Sequence, residues 1–149
     1  AEELISARSL VPAPGWKNNS STAESRVLFD PEKNTLVFHA IFPPECGDRW
    51  FYPIYHPSAE ELKKRYLTFD IRAEQSPEGI GFKNVQFWFR NGPKYFYPEP
   101  GRGEYRHVSI DLDRGGRRKP GSLLYFGLNN RTADEVVIHI RNFRFSDQP

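Results

Sequence analysis

The segment 84–98, NVQFWFRNGPKYFYP, carries the side chains in this sequence that are best suited to binding a ligand. Its first half alternates with the period of two of a β-strand, and one face is apolar: Val85, Phe87 and Phe89. The other face carries Trp88 between Gln86 and Arg90, which places an indole ring between two hydrogen-bonding side chains. A strand that only fills a core does not need such a second face.

The second half of this segment predicts a returning strand. Residues 91–93 (Asn-Gly-Pro) favour a turn, and residues 94–98 then resume the alternation with Tyr95 and Tyr97 on the face of Trp88. Aromatic rings beside polar groups on a rigid sheet suit a ligand with flat C–H faces and many hydroxyl groups, as a sugar has. The hairpin therefore predicts a glycan-binding site.

The composition favours one all-β domain that spans residues 1–149. A chain of this length can bury a core without metal or disulfide support. Its 13 Pro, 11 Gly and 15% aromatic residues leave few runs that could form long helices. A net charge of +2 gives little electrostatic attraction to nucleic acid or to an anionic membrane, so neither is expected as a partner.

The residue types that bind metals are few and are not spaced as metal ligands. Cys46 is the only cysteine, which excludes an intramolecular disulfide and a thiolate zinc cluster. The four histidines show no H-x-x-H or H-E-x-x-H spacing: His39, His56, His107 and His139. These patterns predict no metal site.

Eight strands without long helices predict a jelly-roll β-sandwich of two antiparallel sheets. One short helical turn is expected at residues 59–65, where Ser58 and Glu61 form a capping-box pattern. In this topology successive strands alternate between the sheets. That rule places residues 35–42, 66–74, 104–112 and 136–145 in one sheet, and residues 50–56, 84–90, 94–98 and 122–129 in the other.

The two predicted sheets differ in their outward residues. The first sheet shows mostly Thr, Asp, Arg, Ser and His, whereas the second shows aromatic rings and amides, which indicates a binding face. The candidate carbohydrate-binding residues on that face are Trp50, Tyr52, Gln86, Trp88, Arg90, Tyr95, Tyr97, Tyr125 and Asn129. Tyr55 is expected in the core, Pro53 predicts that its strand lies at a sheet edge, and Trp16 is expected to pack within a loop.

The order of the strand sequences resembles a known family. LTFDIRAE, QFWFRN, GEYRHVSIDL, LLYFGLNN and VVIHIRNFRF are similar to the galactose-binding-like β-jelly-roll carbohydrate-binding modules of polysaccharide-degrading enzymes, over residues 23–147. The resemblance implies a glycan site on the concave sheet, built from Trp and Tyr with polar neighbours, and no catalysis. The positions that match that site are Gln86, Trp88, Arg90 and Tyr125.

The resemblance also implies a wider setting for the chain. Such a module targets a covalently linked catalytic domain to its polysaccharide, so we expect an extracellular, monomeric unit excised from a longer parent protein. The absence of methionine, even at position 1, agrees with that expectation.

Many members of the family hold a structural calcium, for which an acidic residue of the last strand, often within IDDIRF, is a ligand. This chain has IRNFRF, in which Arg141 and Asn142 replace the two acids, and a cation at that point would repel the ion. We therefore expect no cofactor. Structural calcium is the alternative, and four carboxylates are its possible ligands: Glu2, Glu3, Asp30 and Asp147.

Two other classes of protein remain as alternatives. A polysaccharide lyase or hydrolase could share the fold, but glycoside hydrolysis needs two carboxylates across the scissile bond. The predicted aromatic face has none at its strand centres, since Asp70 and Asp111 belong to the other sheet and Glu99 and Glu104 to the hairpin end. A protein-interaction or adhesion domain could use the same aromatic face.

Three features have a plain structural interpretation beside the functional one. Trp88 could fill a core under a loop, and Tyr95 and Tyr97 could shield an edge strand. The basic segment 113–121 is interpreted as a solvated loop, with contact to an anionic polymer as its alternative. Neutral and uronate-bearing polysaccharides are both left open as ligands, because Arg90 could hold a carboxylate.

Overall fold

Two packed β-sheets and one short helix make up the structure of the protein, a computed structural model that describes residues 10–19, 24–42, 45, 50–74, 80–88, 94–96, 101–102, 104–115, 121–130 and 135–149. The strands, in chain order, are β1 (Val11–Pro12), β2 (Trp16–Asn19), β3 (Glu24–Asp30), β4 (Thr35–Ile41), β5 (Trp50–Tyr55), β6 (Tyr66–Ala73), β7 (Ile80–Trp88), β8 (Lys94–Phe96), β9 (Gly101–Arg102), β10 (Arg106–Asp111), β11 (Leu123–Asn130) and β12 (Glu135–Ser146). The helix α1 spans Ala59–Leu62, and a 3-10 turn at Leu112–Gly115 follows β10.

The strands divide between the two sheets as the alternation predicts. The seven-stranded sheet has the order β1-β3-β4-β12-β6-β10, and β9 adds a short parallel pairing to the end of β6. The five-stranded sheet has the order β2-β5-β11-β7-β8. Each of the eight predicted strands lies in its predicted sheet, so the all-β sandwich is confirmed. Four further strands complete the sheets: β1, β3 and β9 in the larger sheet and β2 in the smaller one.

The core lies between the sheets and is built from residues that alternate along the strands. On β6, Leu67, Phe69 and Ile71 are fully buried, as their period-2 spacing predicts. On β11, Leu124 and Phe126 are fully buried from the opposite side. Burying a side chain of this size stabilises the fold by about 1.5–3 kcal/mol, so the alternation fixes which face of each strand looks inward.

A β-bulge in β12 changes which residues of the last strand reach the core. Ile140 is buried on the inner side, and the register with β6 then shifts between Arg141 and Arg144. Asn142 takes a left-handed backbone conformation, with φ 55°, which asparagine adopts more readily than most residues. The extra residue brings Phe143 against the core cluster.

Trp16 packs in the core, as expected, but from a strand rather than from a loop. Its ring centroid lies 5.3 Å from that of Phe38, 5.1 Å from that of Tyr55 and 5.3 Å from that of Phe143. The sequence around Trp16 predicts a loop because Pro, Gly, Asn and Ser surround this residue. Pairing with β5 nevertheless holds it extended, which is a case of tertiary contacts overriding local propensity.

The prediction that Pro53 marks an edge strand is wrong, because β5 lies between β2 and β11. The edge is the four-residue strand β2, in which Asn18 lies opposite Pro53. The pairs between β5 and β11 lie on both sides of this proline, at Ile54 and at Phe51. The ladder therefore spans a residue that cannot donate a hydrogen bond.

The capping box of α1 is present as predicted, although the helix ends at Leu62 rather than at Arg65. The Glu61 amide donates to Ser58 Oγ (3.1 Å), and the Ser58 amide donates to Glu61 Oε1 (2.9 Å). The Tyr55 hydroxyl also donates to Glu61 Oε1 (2.9 Å), which ties the helix to β5. Among the described residues, no helix has the length and apolar character that a membrane span requires.

The raised pKa of Tyr55 predicts that the protein loses stability at alkaline pH. Burial raises its pKa to about 12, and the Glu61 carboxylate adds to the rise, so the fold favours the neutral phenol. Since the unfolded pKa is about 10, this stabilisation is complete below about pH 10 and is lost as the pH rises through about 12. Between about pH 9 and pH 11.5, urea melts should show a steeper loss for the wild type than for Tyr55→Phe. Parallel pH profiles would contradict this role of the phenol.

Candidate functional site

Two tyrosines form a pair on the outer face of the five-stranded sheet. Tyr125 lies between Leu124 and Phe126, which are fully buried on the inner side, so its half-buried ring lies on the outer side. Tyr52 follows the buried Phe51 on the neighbouring strand and is also half-buried. The two ring centroids are 6.4 Å apart at an interplanar angle of 59°. The predicted outward direction of Tyr52 and Tyr125 is thus confirmed.

Ile54 lies between these tyrosines and the edge strand. It is opposite Tyr125 in the register of β5 with β11, and it is only 7% exposed although it lies outside the core cluster. On its other side it faces Lys17, whose side chain is exposed. We call this surface of Lys17, Tyr52, Ile54 and Tyr125 the tyrosine face. It offers two half-buried rings with hydroxyl groups and one exposed cation beside the buried Ile54.

Backbone register brings other predicted site residues alongside the tyrosine face. Gln86 lies directly opposite Tyr125, and Trp88 lies opposite Leu123. At the other end of β11, Asn129 lies opposite Trp50. Arg90 and Tyr97 lie outside the residues that the structure describes. The binding roles of all these residues stay predictions.

The register of β8 differs from the predicted alternation. Tyr95 lies opposite Val85, and Lys94 rather than a tyrosine lies opposite Gln86. In a hairpin the connecting turn sets the register, and a shift of one residue exchanges the two sets of side chains. Tyr95 therefore does not occupy the same cross-strand row as Gln86 and Tyr125, and Lys94 does.

The outer face of the seven-stranded sheet carries three histidine–carboxylate pairs that sequence reasoning missed. The pairs are His39 Nε2 with Glu135 (2.6 Å), His107 Nδ1 with Asp70 (2.8 Å) and His139 Nε2 with Glu74 (2.5 Å). Two of the histidines are buried, His39 at 3% and His139 at 8% exposed. Each pair joins side chains 37 to 96 residues apart, so only the strand register could reveal it.

His39 also shows how this outer face neutralises its charges. Arg26 Nη2 donates to His39 Nδ1 at 2.8 Å, and because a guanidinium can only donate, Nε2 carries the ring proton and donates to Glu135. On the same face, the guanidinium of Arg141 lies 3.8 Å from the ring centroid of Tyr105. Arg26 and Arg141 of this sheet thus have partners within the chain.

Asp70 is the centre of the polar network at the β12 bulge. Its carboxylate accepts from His107 Nδ1 (2.8 Å), Asn142 Nδ2 (2.9 Å) and Arg141 Nε (3.3 Å). Burial acts to raise the pKa of Asp70, but these hydrogen bonds outweigh it and hold the pKa below 3.8. Arg141 and Asn142, which stand where the family often has two acids, therefore both donate to a carboxylate of this chain.

The described residues include no group of three side chains placed to hold a metal ion. Two of the four carboxylates considered as possible calcium ligands accept hydrogen bonds from backbone amides of the chain. Asp30 accepts the amide hydrogens of Glu32 and Lys33 in the turn after β3, and Asp147 accepts that of Arg65. The expectation that the chain binds no calcium stays a prediction.

No protein-family model matches this sequence, and no curated protein matches it. Solved structures do share its fold. A family 30 carbohydrate-binding module matches with a TM-score of 0.55 at 12% identity, over 93% of this chain and 94% of that one. A structure described for the promiscuous specificity of carbohydrate-binding modules of the β-sandwich superfamily matches at 0.59 and 11% identity, over 88% and 56%.

The chain has the fold of β-sandwich carbohydrate-binding modules. The resemblance expected from the sequence is therefore confirmed for the fold, which is all that such low identities show. The β-1,2-glucanase of Parabacteroides distasonis also matches, with a TM-score of 0.54 at 13% identity. That match covers 94% of this chain but 23% of the glucanase, so the chain spans about a quarter of that enzyme.

The lowered pKa of Asp70 predicts that the protein loses stability in acid. Because its folded pKa lies below the unfolded value, the ionised carboxylate stabilises the fold above the unfolded pKa of about 3.9, and this contribution is lost as the pH falls through the folded pKa. Asp70→Asn should therefore melt at a lower temperature than the wild type at pH 7, and the difference should shrink toward about pH 2. A difference that is constant across that range would show that the charge of Asp70 does not stabilise the fold.

Proposed function

We propose that this protein is a non-catalytic carbohydrate-binding module that binds a polysaccharide on the tyrosine face. The observation that carries the proposal is the Tyr52–Tyr125 pair, two half-buried rings held 6.4 Å apart on the outer side of a rigid sheet. Rings of this kind can stack on the C–H faces of a sugar while their hydroxyl groups donate and accept hydrogen bonds.

The surroundings of the pair support a binding surface. The buried Ile54 packs beside Tyr125, and the register places polar residue types next to these rings. Aromatic rings with a few polar groups are the usual composition of a small-molecule site. Positions paired across an antiparallel sheet belong to the same face. We therefore infer that Gln86 and Trp88 extend the surface across β7, with Trp50 and Asn129 at its other end. Arg90 follows Trp88 in sequence and is proposed to border the same surface.

The distribution of carboxylates favours binding over hydrolysis. No residue in the five described strands of this sheet is Asp or Glu. A glycosidase needs two carboxyl groups about 5 to 10 Å apart across the scissile bond. Asp70 and Asp111 lie in the seven-stranded sheet, where Asp70 accepts from His107 and Asp111 accepts from Arg65.

The proposed setting is that of an accessory module. The sequence-based expectation is an extracellular monomer that is covalently linked to a catalytic domain and brings that domain to its polysaccharide. The match to part of the glucanase structure supports this setting, because there too the β-sandwich is one part of a longer chain. A second function, binding of a protein partner through the same rings, predicts the same mutational pattern but no affinity for any polysaccharide.

Paired substitutions on β11 separate binding from folding. Tyr125→Ala removes a stacking ring and should weaken polysaccharide binding tenfold or more while the melting temperature changes little. Phe126→Ala removes a fully buried ring and should cost about 3–5 kcal/mol of unfolding free energy. Affinity gels with β-glucans, xylans, mannans and pectins measure binding, and thermal melts measure stability.

Two further variants serve as controls for this comparison. Tyr125→Phe keeps the ring and should retain more affinity than Tyr125→Ala, whereas Tyr105→Ala removes a tyrosine that packs against Arg141 of the opposite sheet and should leave binding unchanged. If Tyr105→Ala abolishes binding and Tyr125→Ala does not, the site lies on the seven-stranded sheet. If no polysaccharide retards the wild type, the proposed function is wrong.

A further inference from the structure

The five-stranded sheet has an unusual charge distribution. Its strands contain the cations Lys17, Lys83 and Lys94 and, over all their described residues, no carboxylate. The seven-stranded sheet, in contrast, carries acids on four of its strands: Glu24 and Asp30 on β3, Asp70 on β6, Asp111 on β10 and Glu135 on β12. Asp70 and Glu135 of the seven-stranded sheet pair with histidines and an arginine on that same sheet, whereas the lysines of the five-stranded sheet have no carboxylate on the described strands around them.

Two of these lysines belong to the same cross-strand row as the central tyrosine. The row runs Lys17, Ile54, Tyr125, Gln86 and Lys94, from one edge strand to the other. Four strand spacings separate its ends, which is about 19 Å. A polysaccharide that crosses the strands over Tyr125 would therefore pass a lysine position on each side.

Lys17 is available to such a ligand. Its side chain is exposed, and among the described residues it forms no ion pair with a carboxylate. The arginines on the opposite sheet differ, since Arg72 contacts Glu74 and Arg141 contacts Asp70. An exposed ammonium group on a sheet whose described strands carry no acids favours an anion near it, and a lysine contact of this type adds a factor of about two to five in affinity.

We propose that the tyrosine face selects an anionic polysaccharide, whose sugars carry carboxylate or sulfate groups that Lys17 and Lys94 contact. This inference rests on the proposed function, because it names the ligand class for the same face. The rings supply the stacking that any sugar chain can use. The two lysine positions supply the preference for charge.

Matched polymer pairs test the preference. Polygalacturonate is compared with its methyl ester, and dextran sulfate with dextran, by affinity gels and titration calorimetry on the full chain. At about 0.02 M NaCl the wild type should bind the charged member of at least one pair about tenfold more tightly than its neutral partner. At about 0.5 M NaCl, where the screening length is about 4 Å, the preference should largely disappear. The polymer pair for which the charged member binds more tightly shows whether carboxylate or sulfate is the recognised group.

Variants then assign the preference to the lysines. Lys17→Gln should lower the charged-to-neutral affinity ratio about threefold, and adding Lys94→Gln should bring the ratio close to one. The matched control Lys33→Gln, at an exposed position in the turn between β3 and β4, should leave the ratio unchanged. Tyr125→Ala should weaken binding of the charged polymer, because the lysines act beside the ring.

Each contrary result has a distinct meaning. If the neutral member of each pair binds as tightly as the charged one, the anionic preference is wrong while the proposed function stands. If Tyr125→Ala retains the charged polymer at full affinity, the anion binds elsewhere, for example at the basic segment 113–121, and the inference is likewise overturned. If no member of either pair binds and the affinity gels also show no ligand, the proposed function fails with it.

Discussion

The packing of the two inner sheet faces against each other is the constraint on which the rest of the structure depends. Phe126 contributes most clearly, because its ring contacts Phe38 at 5.3 Å and Phe69 at 5.4 Å from the opposite sheet. A strand has a period of two, so burial of Phe126 places Tyr125 on the outside. A slip of one residue would expose the phenylalanine and bury the tyrosine hydroxyl without a partner. Core burial therefore positions the tyrosine face.

The two outer faces use their polar residues in opposite ways. On the seven-stranded sheet, histidines, arginines and carboxylates from neighbouring strands satisfy one another, and the Asn142 bulge brings an amide to Asp70. Few of those groups are left for a ligand. On the five-stranded sheet the rings of Tyr52 and Tyr125 contact each other, and no carboxylate of its strands balances Lys17. The second face is therefore the better candidate for binding.

Period-2 spacing and turn signals were sufficient to predict the sheet membership of eight strands, the capping box of α1 and the outward direction of Tyr125. Features that depend on register could not be predicted. The position of β5 inside its sheet follows from pairing with β2, and the row of Tyr95 follows from the pairing of β8 with β7. The histidine–carboxylate pairs join distant strands, and neither His39 nor Glu135 carries a local signal of its partner.

Chemical-shift mapping would locate the glycan on the protein and so show whether it binds on the tyrosine face. Backbone amide spectra would be recorded while an oligosaccharide, cut from the polysaccharide that affinity gels identify, is titrated into the labelled protein. If the glycan binds on the tyrosine face, the amides of Tyr52, Ile54 and Tyr125 should shift together and saturate with a single affinity, while those of His107 and Arg141 stay in place. Shifts concentrated at His107 and Arg141, with Tyr125 unchanged, would contradict binding on this face.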